Sequence, residues 1–195
     1  MSTVRQREPI SVTDYLEGEL VSPIKHEYVG GIVYAMTGTR IVHNVIASNA
    51  HGVLHGQLRG KKCQAFTSNM KIRVRLRNQW RFYYPDVSVV CQSNPPEDLF
   101  QDAPVVVIEV LSPSTRRTDT HEKQEAYLSL PSLGVYLLVE QSSAFVTVFR
   151  RQGAEFTTEF YDQMDQVIPL PEIDAELSLA ELYARVEFVP EPEPE

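Results

Sequence analysis

"YYPDVSVV" at residues 83–90 and "PVVVIEVL" at 104–111 are strand-like apolar runs that each carry one carboxylate. The second run is apolar at both alternating sets of positions, the pattern of a strand covered on both faces. Glu109 within it is costly to bury unless it is hydrogen-bonded, paired with a base or bound to a cation. Asp86 raises the same problem in the earlier run, where Pro85 has no N–H to give a sheet and marks a bulge or a strand edge. Adjacent strands with one acid each can bring Asp86 and Glu109 together at one end of a sheet. Two close carboxylates repel, so a cation between them is one solution, and all-oxygen ligation favours Mg²⁺ or Mn²⁺ over zinc. The other solution is two unrelated acids, each salt-bridged to a nearby arginine.

The next segment, "RRTDTHEKQEAYLSL" from 116, reads as a helix over about 117–130. Lys123 shares one helical face with Ala126, Tyr127 and Leu130, the apolar face that must pack on the sheet. A lysine there snorkels past the sheet edge, forms a surface pair with Asp119, or reaches the two carboxylates.

Upstream, "MKIRVRLRNQWR" places Lys71, Arg73, Arg75 and Arg77 at every second position, with Met70, Ile72, Val74 and Leu76 between them. A period of two puts the bases on one strand face, a stripe that Arg81 would extend. Such a stripe is either the solvated face of an edge strand or a row of phosphate contacts.

The remaining elements follow from periodicity and capping. "SVTDYLEGEL" opens with a Ser-x-x-Asp cap and predicts a short helix. "KHEYVGGIVYAM" predicts two extended pieces bent at Gly30-Gly31. Residues 43–58 place Ile46, Ala50, Val53, Leu54 and Leu58 at helical spacing. Strands are expected over 63–77 and 81–91 with a turn at 78–80. "GVYLLVE", "AFVTVFRR" and "EFTTEFY" predict an antiparallel meander, and "AELSLAELYARV" a last helix. His51 and His55 lie one helical turn apart, but no third zinc ligand is evident.

With 195 residues, 43% apolar and 23% charged, the composition is that of a soluble globular protein. We expect one domain over 1–186 and a disordered acidic Pro/Glu tail over 187–195. The net charge of −8 argues against a general affinity for nucleic acid, but four tail glutamates account for half of it. No run is long enough to span a bilayer and the polar start lacks a signal-peptide pattern, so a cytoplasmic location is expected. Cys63 and Cys91, without metal-ligand spacing, are expected as reduced, half-buried thiols.

Taken in order, "YYPDVSVVC", "VVVIEVLSPST" and "DTHEKQEAYLSLPSLGVYLLVE" resemble the Uma-two-type family of restriction endonuclease-like proteins, within the PD-(D/E)XK nuclease superfamily. The resemblance covers roughly residues 10–185. It implies an α/β fold with a central mixed β-sheet flanked by α-helices, and a Mg²⁺-dependent DNA endonuclease, homodimeric because cutting two strands favours two-fold symmetry. Asp86 matches the first motif's aspartate and Glu109 the second motif's acid, both as metal ligands. Where the superfamily has lysine two residues after that acid, this chain has Leu111. Lys123 is then the replacement, with Lys71 a second candidate. Glu27 matches a family glutamate, as a further ligand or water-positioning group, and His43 also fits a family position near the site. Tyr127, one turn beyond Lys123, is a neighbouring candidate. Leu111 also motivates an alternative, a catalytically silent nucleic-acid-binding module of the same fold, and the acidic balance and tail motivate a further one, an oligomeric interaction module.

Overall fold

The computed structural model describes residues 8–113 and 115–188. The strand that organises it is the doubly apolar run of the sequence. β8 (Pro104–Leu111) lies inside a six-stranded sheet of order β11-β10-β9-β8-β6-β3, with β3 (Gln64–Thr67), β6 (Val87–Val90), β9 (Val135–Glu140), β10 (Val146–Gln152) and β11 (Glu155–Tyr161). β8 pairs antiparallel with β6 and parallel with β9, so the sheet is mixed. The expected meander is present, β9 to β10 to β11 being antiparallel with short turns.

Alternation along β8 sends its side chains to two different cores. Val106, Ile108 and Val110 pack against Ile46, Ala50 and Leu54 of the helix α2 (Ile41–Gln57). Val107 and Leu111 face Ala126, Tyr127 and Leu130, which belong to or follow the helix α3 (Gln124–Leu128). The central sheet is thus flanked by helices on both faces. A second sheet, which sequence pattern does not announce, shares the α3 side. It has five strands in the order β2-β1-β5-β4-β7, where β1 is His26–Val29, β2 Ile32–Ala35, β4 Lys71–Leu76, β5 Gln79–Tyr83 and β7 Phe100–Gln101. Ile72, Val74 and Tyr83 bring it to the core beside α3. Its outer face carries Tyr28, Phe82 and Phe100, covered by Tyr15 of the helix α1 (Val12–Val21). Ser11 caps α1 by accepting from the Asp14 N–H, as expected. Gly30 and Gly31 make the β1–β2 bend at φ values of 55° and 102°, a left-handed stretch that glycine enters without a Cβ clash.

Two long strands expected from the sequence are each divided between the sheets. The stretch 63–77 breaks at 68–70 into β3 and β4, and 81–91 breaks at Tyr84-Pro85-Asp86 into β5 and β6. Within these two stretches the chain crosses from one sheet to the other twice, and Pro85 sits in the second of these crossings, where no ladder N–H is needed. The β4–β5 turn falls at Arg77-Asn78, both at positive φ, so Arg77 leaves the strand face.

The C-terminal helix is shorter than expected. Residues Ala175–Ser178 form β13, paired with β12 (Val167–Leu170), and only Leu179–Leu182 form α4. Ser178 sets the boundary by accepting the Glu181 N–H as an N-cap. The expected acidic tail lies, from residue 189 onward, outside the described residues.

The expectation of reduced thiols is corrected. Gln64 pairs with Val90 across β3 and β6, and one further step of that register sets Cys63 opposite Cys91, where they are joined in a disulfide. Sequence spacing could not reveal this, because the pairing depends on the crossings between sheets. Thiol titration of the unfolded protein should find no free thiol before reduction and two after it. The double variant Cys63→Ala with Cys91→Ala should unfold roughly 5–12 °C lower than the oxidised chain, from about 3 kcal/mol of loop-closure entropy.

Candidate active site

The second crossing sets the site. Val87 pairs with Ile108, and the register continued by one residue brings Asp86 level with Glu109. Asp86 Oδ2 accepts the Val110 N–H at 2.7 Å, so the carboxylate is tied to β8 itself. Glu109 lies on the same side of β8 as Val107 and Leu111 and faces the space between the sheets, 3% exposed. From the other sheet, β1 contributes Glu27, whose Oε1 accepts the Tyr84 N–H at 3.3 Å.

Lys123 enters between these acids. The segment Thr118–Lys123, directly before α3, is π-helical rather than α-helical. Its wider turn aims Asp119 and Lys123 into the core together, in the manner of π-turns near functional groups. The Lys123 ammonium lies 2.9 Å from Glu27 Oε1, 3.2 Å from Asp119 Oδ1 and 3.4 Å from Glu109 Oε1. The surface Asp119–Lys123 pair considered from sequence is instead buried, Asp119 at 2% and Lys123 at 6% exposure.

Second contacts orient these groups. His43, in the first turn of α2, holds Nε2 at 3.3 Å from Asp86 Oδ2. The Tyr127 hydroxyl lies 3.4 Å from Glu109 Oε1, and the Tyr136 hydroxyl donates to the Asp119 carbonyl at 3.0 Å. Burial holds both phenols far above their ordinary pKa, so each serves as a neutral donor. Burial also pushes Glu109 well above the usual carboxylate range, against the opposing pull of Lys123. For Lys123 burial acts downward, but the charges of Glu109, Glu27 and Asp119 outweigh it and hold the ammonium protonated. Burial likewise lowers His43, and its hydrogen bond to Asp86, the Asp86 charge and the Val110 carbonyl more than restore it, leaving a net rise.

These side chains line a cavity of about 240 Å³ that also takes in Tyr34, Met36, Thr37 and Thr39. Among the described residues, no three histidine, cysteine or acidic side chains already stand together as a metal-ligating group. The donor set nevertheless fits a hard divalent cation. Three carboxylates share one ammonium, Asp86 lines the same cavity, and Glu109 is destabilised as an anion.

The structure brings together Asp86, Glu109, Lys123, Glu27, His43 and Tyr127 from the sequence-predicted set. Lys71 goes elsewhere. Its buried ammonium donates to the Tyr84 hydroxyl at 3.1 Å, and that hydroxyl donates to Glu19 at 2.8 Å. Nor do the four bases form one exposed row. Arg73 makes two hydrogen bonds to Asp102 at 2.7 and 2.8 Å, Arg77 pairs with Glu125 from the turn, and Arg75 lies over the Trp80 ring. Arg81 is buried against Tyr83 and Glu122. Asp119 was missed as a site residue, although its four-residue spacing from Lys123 was a usable signal.

The family model described as "Putative restriction endonuclease", named Uma2, matches residues 12–181. The chain belongs to the Uma2 family. Two uncharacterized proteins of Synechocystis sp. are similar to it. One is 34% identical over 73% of this chain and 74% of its own length, the other 27% identical over 78% and 87%. A crystal structure from Anabaena variabilis, described as a putative nuclease, superposes with a TM-score of 0.70 at 22% identity, over 90% of this chain and 98% of that one. The fold of this Uma2 member is therefore restriction-endonuclease-like, with its acidic cluster at the mouth between the two sheets. No helix among the described residues is long and apolar enough to cross a membrane.

The electrostatics give two stability predictions. A glutamate whose folded-state pKa is raised favours the folded state below its unfolded pKa and loses that contribution as pH rises through the folded value. In EDTA, Glu109→Gln should therefore melt at or above the unsubstituted chain at pH 8. The difference should shrink as pH falls through the raised folded-state value and vanish below the unfolded-state pKa of about 4.3. Lys123→Met, which strands three buried carboxylates, should cost about 3–5 kcal/mol at neutral pH, with the loss shrinking as pH falls.

Proposed function

We propose that this chain is a metal-dependent endonuclease that hydrolyses phosphodiester bonds in DNA, working as a homodimer in the cytoplasm. The observation that carries the reading is the convergence of Glu109, Glu27 and Asp119 on Lys123 in an open cavity that Asp86 also lines, in a chain of the Uma2 family. Membership and fold supply the reaction class, and the cluster supplies the groups it needs.

Asp86 and Glu109 would hold Mg²⁺ or Mn²⁺, with the Val110 carbonyl beside them, and the ion would polarise a phosphoryl oxygen and lower the pKa of a bound water. Lys123 has three N–H donors fanned among the acids, and it replaces the lysine that Leu111 displaces from β8. It would orient the attacking water and stabilise negative charge growing on the phosphate. Glu27, fixed by Lys123 and by the Tyr84 N–H, would accept a hydrogen bond from that water and hold it in line with the leaving oxygen. His43 acts through Asp86: its Nε2 and the Val110 N–H grip the same oxygen and leave the other to face the cavity. Tyr127 donates to Glu109 and keeps it from turning into the core.

Cleavage of supercoiled plasmid and of short single-stranded DNA, in Mg²⁺, Mn²⁺ or EDTA, tests this directly. We expect nicking that requires the ion and falls at least about 10³-fold in Asp86→Ala and Lys123→Met, the scale seen when a stabiliser of transition-state charge is removed. Undiminished nicking in Asp86→Ala would place the activity elsewhere. Tight DNA binding without turnover in any metal would make the chain a silent binding module.

A further inference from the structure

Three cavities meet at Asp86. The acidic cavity shares Met36, Thr37, Thr39 and His43 with a second, and the second shares Asn44, Ala47 and Ser68 with a third that ends at His51. Joined, they form a trench that leaves the carboxylate cluster, passes Asp86 and runs along the exposed side of α2. One wall is the turn between β3 and β4, and the other is the Pro23–Lys25 segment with the loop after β2.

The chemistry changes along its length. Beyond the cluster, Asp86 is the one carboxylate among the lining residues of the second and third cavities. The other polar lining groups are amides, hydroxyls, His43, His51 and one lysine, Lys25. The Lys25 Nζ donates to the Ser68 carbonyl at 2.7 Å, and no carboxylate lies within ion-pair distance of it among the described residues. Lys25 lines the same cavity as Asp86, so it stands on the path along which a phosphate chain would leave a cation held at Asp86. The apolar lining is exposed, Ile24 and Tyr34 each at 52%. Such surfaces take base faces, as hydroxyls, amides and a lysine take phosphates. The basic stripe of β4 is largely engaged: Arg73 and Arg77 are bonded to acids, Lys71 is buried, and Arg75 lies over the Trp80 ring.

Resting on the nuclease reading, we infer that the nucleic-acid strand lies in this trench along α2, with Lys25 binding a phosphate next to the scissile one and Asn44, Ser68 and Asn69 lining its path. Lys25 is then a substrate-binding residue, and the basic stripe of β4 is structural.

The test is fluorescence anisotropy of a short fluorescein-labelled DNA strand titrated with the full chain in Ca²⁺, across a range of salt. Lys25→Gln should weaken binding roughly threefold to tenfold and lower the salt slope by about 1. Asn69→Asp and Asn44→Asp, which add a negative charge at exposed trench positions, should weaken it as well. Arg75→Gln on β4 should leave it unchanged. The Asn variants keep the test valid if loss of the Lys25–Ser68 bond unfolds the first one. Loss of affinity in Arg75→Gln with unchanged affinity in the trench variants overturns the trench and leaves the nuclease reading standing. No binding by the unsubstituted chain overturns both.

Discussion

One ammonium holds the mouth of this protein together. Lys123 lies within 3.4 Å of Glu27, Asp119 and Glu109, which come from three separate places in the chain: a strand of the smaller sheet, the π-helical turn and the central strand. Without it, three desolvated carboxylates would face one another where attraction from solvent is weak and mutual repulsion strong. The charge is therefore a structural tie between the two sheets and the crossover segment, and on the nuclease reading it would also be a chemical group. A lysine at the β8 position two residues after the acid would then not be needed. Leu111 at that position packs into the core beside α3, while the cation arrives from the segment that closes over the same core.

The second constraint is where the chain changes sheets. A strand that ran unbroken from 79 to 90 would belong to one sheet and would place Asp86 in a ladder, its side chain on one face only. The break at Tyr84-Pro85-Asp86 frees the backbone there, and each freed group is put to use. The Tyr84 N–H goes to Glu27, the Tyr84 hydroxyl to Glu19 of α1, and the Asp86 carboxylate to the Val110 N–H. Pro85 contributes by having no donor to satisfy. One short irregular segment thus fixes the first acid relative to β8, the glutamate of β1 and the docking of α1.

Much of this was legible in the residues, and the failures share a cause. The buried character of β8, the anomaly of Asp86 and Glu109, the helix of His43 and the inward face of Lys123 are local patterns, set by period and by the cost of burying charge. The splitting of 63–77 and 81–91 is not local. Nothing in the alternation of Lys71 to Arg77 tells a strand that stays in its sheet from one whose predecessor lies in another. The disulfide and the surroundings of the basic stripe were not legible for that reason, since both depend on which strands become neighbours. Asp119 is the intermediate case: its spacing from Lys123 was visible, but its burial follows from a π-helical turn that widens the local geometry.

The charge balance then bears on how such a chain can meet a polyanion. Net charge is −8, and several arginines are bonded to acids within the fold: Arg73 to Asp102, Arg77 to Glu125, Arg150 to Glu159 and Glu172. Counterion release, which scales with the cations that contact phosphates, can supply little general affinity from such a surface. Attraction has to be local. On the nuclease reading it would be strongest where a divalent cation offset the acidic cluster, with Lys25 lining the cavity that leads away from Asp86. A strand bound there would owe its placement to the site itself and not to a general cationic surface.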